Sequence, residues 1–234
     1  MIRRDMISET YLIDCMEFMR TLPDKFFDLA IVDPPYGIDV GNMTLGVGGG
    51  VAKHNNYIRK DWDLIAPNYD YFIELFRVSI NQIVWGANHY LSKTSPCWLV
   101  WNKENGTTDY ADCELAWTSF KSPVRMFSFR WSGMLQGDMK NKESRIHPTQ
   151  KPVALYKWLL TNYAKPGQKI FDSHMGSQSS RIAAYQMGFD YWGCELDPDY
   201  YRDGCKRFDA VIHKKDTTEY VPVEQTGVGQ ARLF

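Results

Sequence analysis

One buried strand of this chain ends in residues suited to holding a hydrogen-bond donor. The apolar run 29–32 is followed directly by Asp33, Pro34, Pro35 and Tyr36. Proline has no backbone N–H and a fixed φ angle, and a residue that precedes proline is driven out of the α region. Asp33 and Pro34 are therefore both predicted to be extended, in a rigid corner with free acceptors. Such a corner is either an ordinary strand exit or a device that presents acceptors to a ligand.

A second candidate site lies in the C-terminal part of the chain. The sequence predicts a strand in QKIFD, a small-residue turn in SHMGSQSS, a helix in RIAAYQMG and a strand in FDYWGCELD. This order is a βαβ unit, which implies a parallel sheet that binds ligands at the carboxyl ends of its strands. Glu195 follows Asp172 by 23 residues. An acid about 20 residues beyond such a turn is placed to hold ribose hydroxyls.

A third candidate is the stretch HPTQKP, at positions 147–152, which opens a predicted helix. Thr149, Gln150 and the free N–H groups of the helix start are suited to a carboxylate or a phosphate, and Lys151 adds a cation. Taken alone, the stretch is equally consistent with a helix start that Thr149 caps.

The remaining pattern predicts the elements that position these residues. Strands are predicted at 10–14, 27–33, 82–88, 97–102, 113–120 and 125–133, and helices at 15–23, 68–80 and 153–164. The Gly- and Asn-rich segment 37–56 has no periodicity, so we interpret it as a mobile loop and, next to the proline corner, as a lid. The order of elements indicates an α/β fold.

Composition narrows the function classes. The chain has 234 residues, 44% of them hydrophobic and 15% aromatic, which is typical of a packed globular domain. An odd number of cysteines, five, with no C-x-x-C pair argues against a disulfide framework or a zinc site, and favours a reducing cytoplasm. We find no bilayer-spanning run and no apolar stretch of secretory type near the start. The net charge is −1, yet residues 121–151 hold seven basic and two acidic residues, either a nucleic-acid surface or a solvated face.

Three motifs in this order resemble those of a known family. The tetrapeptide at 33–36, then HPTQKP, then FDSHMGSQSS with GCELDPDYY after it, are similar to the amino-methylating DNA methyltransferases that use S-adenosylmethionine. The opening YLIDCMEFMRTLPDKFFDLAIVDPPYG also resembles theirs, and the likeness covers most of residues 10–209. The order is that of the circularly permuted β class, in which the catalytic half precedes the cofactor half.

The resemblance implies a fold and a set of partners. It implies a doubly wound, Rossmann-like mixed sheet that is mostly parallel, in one domain over 1–220 with a target-recognition insertion at about 104–146. It also implies double-stranded DNA as partner, S-adenosylmethionine as cofactor without a metal, and a bacterial or phage-encoded cytoplasmic enzyme of restriction-modification type. The recognition region is short, which predicts a short site, help from a homodimer partner, or loose specificity.

The resemblance also implies roles for individual residues. Asp33 and Pro34 would accept the N–H groups of a flipped adenine N6 amine, Pro35 would help fix the corner, and Tyr36 would stack on the base. Asp14 would contact the cofactor adenine, and Glu195 its ribose. The cofactor-binding residues implied are Asp14, His147, Thr149, Lys151, Asp172, Ser173, His174, Gly176, Ser177, Glu195 and Leu196.

The cofactor turn departs from the family pattern. Ser173, His174 and Gln178 stand where the family has Pro, Phe and Gly. A Gln at a usual Gly position needs different backbone angles, or its side chain crowds the cofactor or bonds to it. Three alternatives therefore stay open: methylation of cytosine N4, methylation of RNA or a protein amide, and a non-catalytic DNA-binding module with a decayed pocket.

The C-terminal tail, residues 221–234, raises a separate question. Gln230, Leu233 and Phe234 resemble the Q-x-x-L-F peptide that binds bacterial sliding clamps. The sequence predicts either docking of QARLF on such a clamp or packing of the tail on its own domain.

Overall fold

The computed structural model describes residues 6–38, 63–91, 93–106, 111–132 and 135–215. Most of the predicted lid at 37–56 and the whole tail at 221–234 lie outside these residues. Their predicted roles therefore stay predictions.

Ten strands and five α-helices form the described part of the chain. The strands are β1 (Ser8–Leu12), β2 (Phe27–Val32), β3 (Ser79–Trp85), β4 (Trp98–Asn102), β5 (Cys113–Thr118), β6 (Arg125–Ser128), β7 (Trp131–Ser132), β8 (Leu135–Gln136), β9 (Lys169–Asp172) and β10 (Asp190–Glu195). The α-helices are α1 (Cys15–Arg20), α2 (Tyr69–Val78), α3 (Val153–Tyr163), α4 (Ser179–Met187) and α5 (Pro198–Lys215), and a short 3-10 helix covers Ala87–His89.

Eight of these strands form one mixed sheet in the order β1-β10-β9-β2-β3-β5-β4-β6. Neighbours pair in parallel except around β5, which runs antiparallel to both β3 and β4. Seven carboxyl ends therefore meet at one edge. This arrangement confirms the predicted Rossmann-like, mostly parallel α/β fold.

Side chains of the central strands alternate between two apolar layers, as the two-residue period of a strand requires. In β2, Leu29 and Ile31 pack in the layer that contains the buried faces of α3 and α4. Ala30 and Val32 point to the other layer, which contains the buried faces of α1 and α2. Since both faces of the sheet are covered by helices, the sheet is doubly wound, and its carboxyl edge stays open for a site.

The structure corrects three predictions about elements. The second helix does not reach position 80, because it ends at Val78 and Ser79 already pairs with Phe27 of β2. The stretch 125–133 is not one strand but two short ones, in different sheets. Helix α5 had no predicted counterpart, although Asp197 caps its start by accepting from the N–H groups of residues 199 and 200.

The predicted recognition interval, 104–146, contributes to the main sheet. Strand β5 lies between β3 and β4, and β6 forms the edge of the sheet beside β4. The β7–β8 hairpin forms a separate two-stranded sheet. The part of this interval outside the main sheet is therefore smaller than the sequence implied. In the described part of the chain, no helix is long and apolar enough to cross a membrane.

Candidate functional site

The proline corner is locked from behind by a buried carboxylate. Because Pro34 and Pro35 have no N–H, the first amides that can donate are those of Tyr36 and Gly37. Both donate to Oδ1 of Asp63, at 2.5 and 3.2 Å. Asp63 is 2% exposed. It fixes the chain directly after the corner, and the sequence pattern gave no indication of this contact.

Both oxygens of the Asp33 carboxylate are engaged. Oδ2 accepts a hydrogen bond from Nζ of Lys151 at 2.5 Å, and Oδ1 accepts one from the hydroxyl of Tyr36 at 2.7 Å. Lys151 also donates to the Tyr36 hydroxyl at 3.2 Å. The sequence grouped Lys151 with the cofactor residues, whereas the structure directs its ammonium to the catalytic corner.

Charges alternate along a row of four side chains behind the corner, which we call the ion-pair row: Asp33, Lys151, Glu114 and Lys103. Nζ of Lys151 lies 2.9 Å from Oε2 of Glu114, and Nζ of Lys103 lies 2.5 Å from Oε1 of the same carboxylate. The Lys151 side chain is 3% exposed, so its charge depends on these partners. Glu114 and Lys103 were not among the predicted site residues, because no local pattern marks a pairing that forms only across the sheet.

The ion-pair row sets the charge states of its members. Burial raises the pKa of Asp33, Lys151 opposes that rise, and Glu114 adds to it. Burial disfavours the Lys151 cation, but Asp33 and Glu114 together outweigh burial and raise its pKa. Burial also works against the Glu114 anion, yet Lys151 and Lys103 lower the pKa of Glu114 to about 2. The row is therefore charged along its length at neutral pH.

The ring of Tyr36 rests in a space that a glycine leaves open. Gly86 has a φ of 67°, and a Cβ there would lie 2.0 Å from the Tyr36 ring. The ring stacks on that of His89, with centroids 5.0 Å apart and planes 17° apart. Burial raises the pKa of the Tyr36 phenol well above its usual range, so its hydroxyl stays a donor.

A cavity of about 250 Å³ adjoins the corner. Its lining residues are mostly apolar or aromatic and include two polar side chains; they are Cys15, Met16, Pro35, Ile65, Pro67, Asn68, Tyr71 and His174. Pro35 connects the cavity to the corner, and His174 connects it to the turn after β9. Apolar walls with a few polar groups suit a nucleoside with a short chain, since small-molecule sites commonly measure about 300–1,000 Å³. The donor set fits S-adenosylmethionine, with part of the molecule extending beyond the cavity.

Asp172 ends β9 and is held by uncharged donors. Its Oδ1 accepts from the N–H of His174 at 3.0 Å, and its Oδ2 accepts from the hydroxyl of Ser180 at 2.5 Å. Burial raises the pKa of Asp172 to about 7. Unlike Asp33, this carboxyl takes up a proton near neutral pH.

A polar chain links the turn to α2. The hydroxyl of Ser173 lies 2.7 Å from that of Tyr71 and 2.8 Å from Nδ1 of His174. Burial lowers the pKa of His174 to about 4, so the ring is neutral where it lines the cavity. The two residues that depart from the family pattern, Ser173 and His174, therefore form one hydrogen-bonded unit.

The stretch 147–152 meets the glycine turn through His147. A Cβ on Gly176 would lie 3.6 Å from the His147 ring, and that ring packs on Tyr200 with centroids 4.2 Å apart. Thr149 lies beside Nδ1 of His147, with its hydroxyl 3.1 Å away. The Glu195 carboxylate accepts from the Gly176 N–H at 2.8 Å and thus closes the turn from the far side.

Gln178 adopts the backbone conformation usual for glycine. Its φ is 59°, and its fully buried side chain points to α5, away from the cavity. Oε1 accepts from Arg181 at 3.0 Å, and Nε2 donates to the Tyr201 carbonyl at 3.4 Å. A Cβ on Gly204 would lie 2.8 Å from the Gln178 side chain, so Gly204 supplies the necessary space. The expectation that Gln178 crowds the cofactor or bonds to it is therefore wrong for this structure.

Two further predicted cofactor residues have side chains that serve the fold, and a third is exposed. Asp14 caps α1 by accepting from the Met16 N–H at 2.7 Å, although its neighbour Cys15 lines the cavity. Ser177 presents its carbonyl to Arg207 at 2.6 Å, and its hydroxyl lies 3.2 Å from Ser179. Leu196 is 69% exposed.

The Arg207 contact was not foreseen from the sequence. This arginine of α5 also pairs with Glu143 at 2.6 Å, and Glu143 in turn accepts from the Val153 N–H at the start of α3. The pair therefore ties the turn to the segment before α3. Within the described ranges, no three His, Cys, Asp or Glu side chains gather as a metal site would require.

Comparison with known proteins gives a consistent answer. A family model described as DNA methylase, of the N6/N4 type, matches residues 82–206, more than half of the chain. The type II methyltransferase M.HinfI of Haemophilus influenzae is 22% identical over 258 residues, which cover 90% of this chain and 71% of the relative.

Two solved structures share the fold. The M1.HpyAVI–SAM complex superposes with a TM-score of 0.53 at 18% identity, over 85% of this chain and 98% of that one. The cytosine-N4-specific PvuII DNA methyltransferase superposes with a TM-score of 0.56 at 12% identity, over 87% of each chain. The family match, together with the corner, cavity and turn, leads to one conclusion: the chain belongs to the DNA methylase family of S-adenosylmethionine-dependent DNA methyltransferases.

Proposed function

We propose that this enzyme transfers a methyl group from S-adenosylmethionine to the exocyclic N6 amine of an adenine flipped out of double-stranded DNA. The observation that carries the proposal is the position of Asp33. Its carboxylate ends β2 and adjoins, through Pro35, the cavity that fits the cofactor. An acceptor for the amine and a pocket for the methyl donor thus lie on two sides of one rigid corner.

The corner supplies what a weak nucleophile needs. The lone pair of an exocyclic amine is delocalised into the ring, and acceptors aimed at its N–H groups favour a pyramidal nitrogen. Asp33 Oδ1 and the Pro34 carbonyl are such acceptors, and the prolines fix them before the base arrives. When bound, the cofactor supplies a methyl group already activated by its sulfonium. After transfer the nitrogen carries an extra proton, and the Asp33 carboxylate takes it up.

Tyr36 has to move for the amine to enter. Its hydroxyl occupies Oδ1 of Asp33, the oxygen the amine needs. If the ring leaves His89 to stack on the flipped base, the hydroxyl leaves Oδ1 in the same motion. Stacking of a base on an aromatic ring is typically worth about 1–3 kcal/mol, which offsets the lost contacts.

The residues around the cavity and turn are those that would hold the cofactor. Asp172, Gly176 and Ser177 would lie along its methionine part, with His147 and Thr149 behind the turn. Asp14, Ser173, His174, Glu195 and Leu196 complete the proposed set. The corner precedes the turn in the chain, which supports the permuted β-class order.

Cytosine N4 is a second candidate target. The PvuII enzyme, which is cytosine-N4-specific, shares the fold with a TM-score of 0.56. Exocyclic amines of adenine and cytosine offer the same pair of N–H donors to a corner such as Asp33–Pro34. The nature of the methylated base has to be read from the product.

The test is transfer of labelled methyl to mixed-sequence duplex DNA, followed by digestion to nucleosides. We expect label in N6-methyladenine, and a fall of at least about 10³-fold in Asp33→Ala. The variant Asp203→Asn, which removes a carboxylate from an exposed pair on α5, should label DNA at the normal rate. Label in N4-methylcytosine would overturn the choice of base. No transfer by a folded protein that binds the cofactor would overturn the function.

Finer partner assignments rest on the sequence alone. We propose that residues 121–151 contribute to the DNA surface, that QARLF docks on a sliding clamp, and that the enzyme is cytoplasmic and acts alone or as a homodimer. Binding of the tail peptide to a bacterial clamp, with and without Phe234, tests the clamp assignment. Equal affinity of both peptides would remove it.

A further inference from the structure

The proposed mechanism uses Asp33 and leaves the rest of the ion-pair row without a task. A buried charge is costly to the fold unless it is paired, and well-packed apolar residues often replace buried ion pairs without loss of stability. Glu114 and Lys103 nevertheless lie directly behind the reacting carboxylate, and Glu114 bridges Lys103 to Lys151. Stability is therefore a weak explanation for the row.

Geometry at Lys151 suggests a more specific one. Its ammonium faces three oxygens: Asp33 Oδ2 at 2.5 Å, Glu114 Oε2 at 2.9 Å and the Tyr36 hydroxyl at 3.2 Å. An ammonium on a flexible stem that faced Asp33 alone would be drawn between both oxygens of that carboxylate. Glu114 attracts the ammonium from another direction, and the ammonium bonds Oδ2 while Oδ1 is left to a neutral hydroxyl.

We propose that Glu114 is a positioning residue for methyl transfer. It holds the Lys151 ammonium on the Oδ2 side of Asp33, so that Oδ1 is available to the target amine once Tyr36 releases it. Lys103 holds Glu114 in turn. This inference rests on the proposed function, since it assigns the amine to Oδ1.

Electrostatics gives the inference a measurable sign. Glu114 raises the pKa of Asp33 and of Lys151, so its removal lowers both. Removal of the Lys103 cation leaves Glu114 less compensated and raises both. The titratable groups that interact with Asp33 are Lys151, Glu114, Tyr36, Tyr90, Tyr156 and Asp172. Only Glu114 and Lys103 are changed in the test below.

The experiment compares Glu114→Gln with Lys103→Gln in single-turnover methyl transfer from pH 5 to pH 10. In Glu114→Gln we expect the rate to fall roughly 10- to 100-fold and the pH profile to move about one unit lower. In Lys103→Gln we expect a smaller loss and a shift to higher pH. A purely structural role for Glu114 predicts losses of rate without shifts of opposite sign.

Two additions keep the outcome clear. The double variant Lys103→Gln/Glu114→Gln leaves no unpaired charge from this pair if either single variant folds poorly, and it should keep the rate loss of Glu114→Gln with a smaller downward shift. NMR titration of Asp33 in the cofactor-free protein should show the same directions without any turnover. If the natural protein labels DNA but the profiles do not shift in opposite directions, the inference is wrong. If the natural protein does not label DNA, the proposed function fails first, and the inference with it.

Discussion

Asp33 and Asp172 end neighbouring strands, β2 and β9, at the same edge of the sheet, yet they are held by different chemistry. Asp33 is bound by the Lys151 ammonium and the Tyr36 phenol. Asp172 is bound by a backbone N–H and the Ser180 hydroxyl, both uncharged. Burial raises the pKa of both carboxyls, and only at Asp33 does a cation oppose that rise.

The difference matches the tasks proposed for the two ends of the site. The corner has to offer an ionised acceptor before the base arrives, and a neighbouring ammonium provides for this. The turn lies where a positively charged cofactor would bind. A carboxyl whose pKa is about 7 ionises readily when such a charge approaches, so binding of the cofactor near the turn should release a proton.

The largest effect should come from removing the cation at the corner. Lys151→Met leaves Asp33 and Glu114 facing each other without the ammonium between them, and we expect a loss of roughly 3–5 kcal/mol in the free energy of unfolding at pH 8. The loss should shrink as the pH falls, because protonation of Asp33 removes the repulsion. Urea unfolding at several pH values measures it.

Lys151→Met/Asp33→Asn is the matched control, because it removes both partners. It should recover most of the stability at pH 8. A double variant as unstable as Lys151→Met would show that Lys151 acts through packing and not through charge.

A medium effect should appear at the turn, where two groups oppose each other. Asp172 has a folded pKa of about 7, above its ordinary value, so it stabilises at low pH and loses this contribution as pH rises from about 4 to 7. His174 has a folded pKa of about 4, below its ordinary value, so it stabilises above about pH 6.5 and loses this contribution as pH falls to 4. In the natural protein the two slopes largely cancel.

Single variants should separate these slopes. In Asp172→Asn, stability should rise from pH 4 to 6.5, and in His174→Phe it should fall from pH 4 to 7, each by roughly 2–3 kcal/mol. Urea midpoints across this range give the answer. Slopes of equal sign in the two variants would contradict the assigned charge states.

The smallest effect concerns Gln178 and Gly204. Gly204→Ala places a Cβ against the buried Gln178 side chain and should cost about 1–3 kcal/mol. In a Gln178→Gly background, the same change should stabilise α5 by up to about 1 kcal/mol, because alanine is the better helix former. A double-mutant cycle by urea unfolding measures the coupling.

Cofactor affinity tells whether Gln178 also acts at the cavity. Since its side chain points to α5, Gln178→Gly should bind S-adenosylmethionine within about threefold of the natural protein. A large gain in affinity would mean that Gln178 crowds the cofactor after all.

Local sequence signals predicted the parts of the site that are locally encoded. The proline corner, the βαβ unit and helix α3 follow from backbone chemistry and from short-range periodicity, and the structure contains all of them close to the predicted bounds. Contacts across the chain left no such signal. Asp63, Glu114 and Arg207 are ordinary charged residues until the sheet and helices bring their partners to them.

One error of boundary has the same origin. The apolar spacing of α2 continues through Ile80, so periodicity alone extends the helix. Pairing with β2 wins at Ser79, because hydrogen bonds to the neighbouring strand replace those of a further helical turn. Helix α5 is the opposite case, since Asp197 and Pro198 give a cap and a first-turn proline that a fuller use of helix start signals would have found.

The reversed direction of β5 has a consequence for how this enzyme tolerates change. In a parallel strand the last residues reach the carboxyl edge, whereas β5 brings its second residue, Glu114, which pairs opposite Trp101 of β4. A one-residue slip of β5 against β4 would turn Glu114 to the opposite face of the sheet and bring Cys113 or Leu115 to its place. Single-residue insertions at the start of β5 should therefore abolish methyl transfer, while insertions of similar size farther from the strand leave it intact.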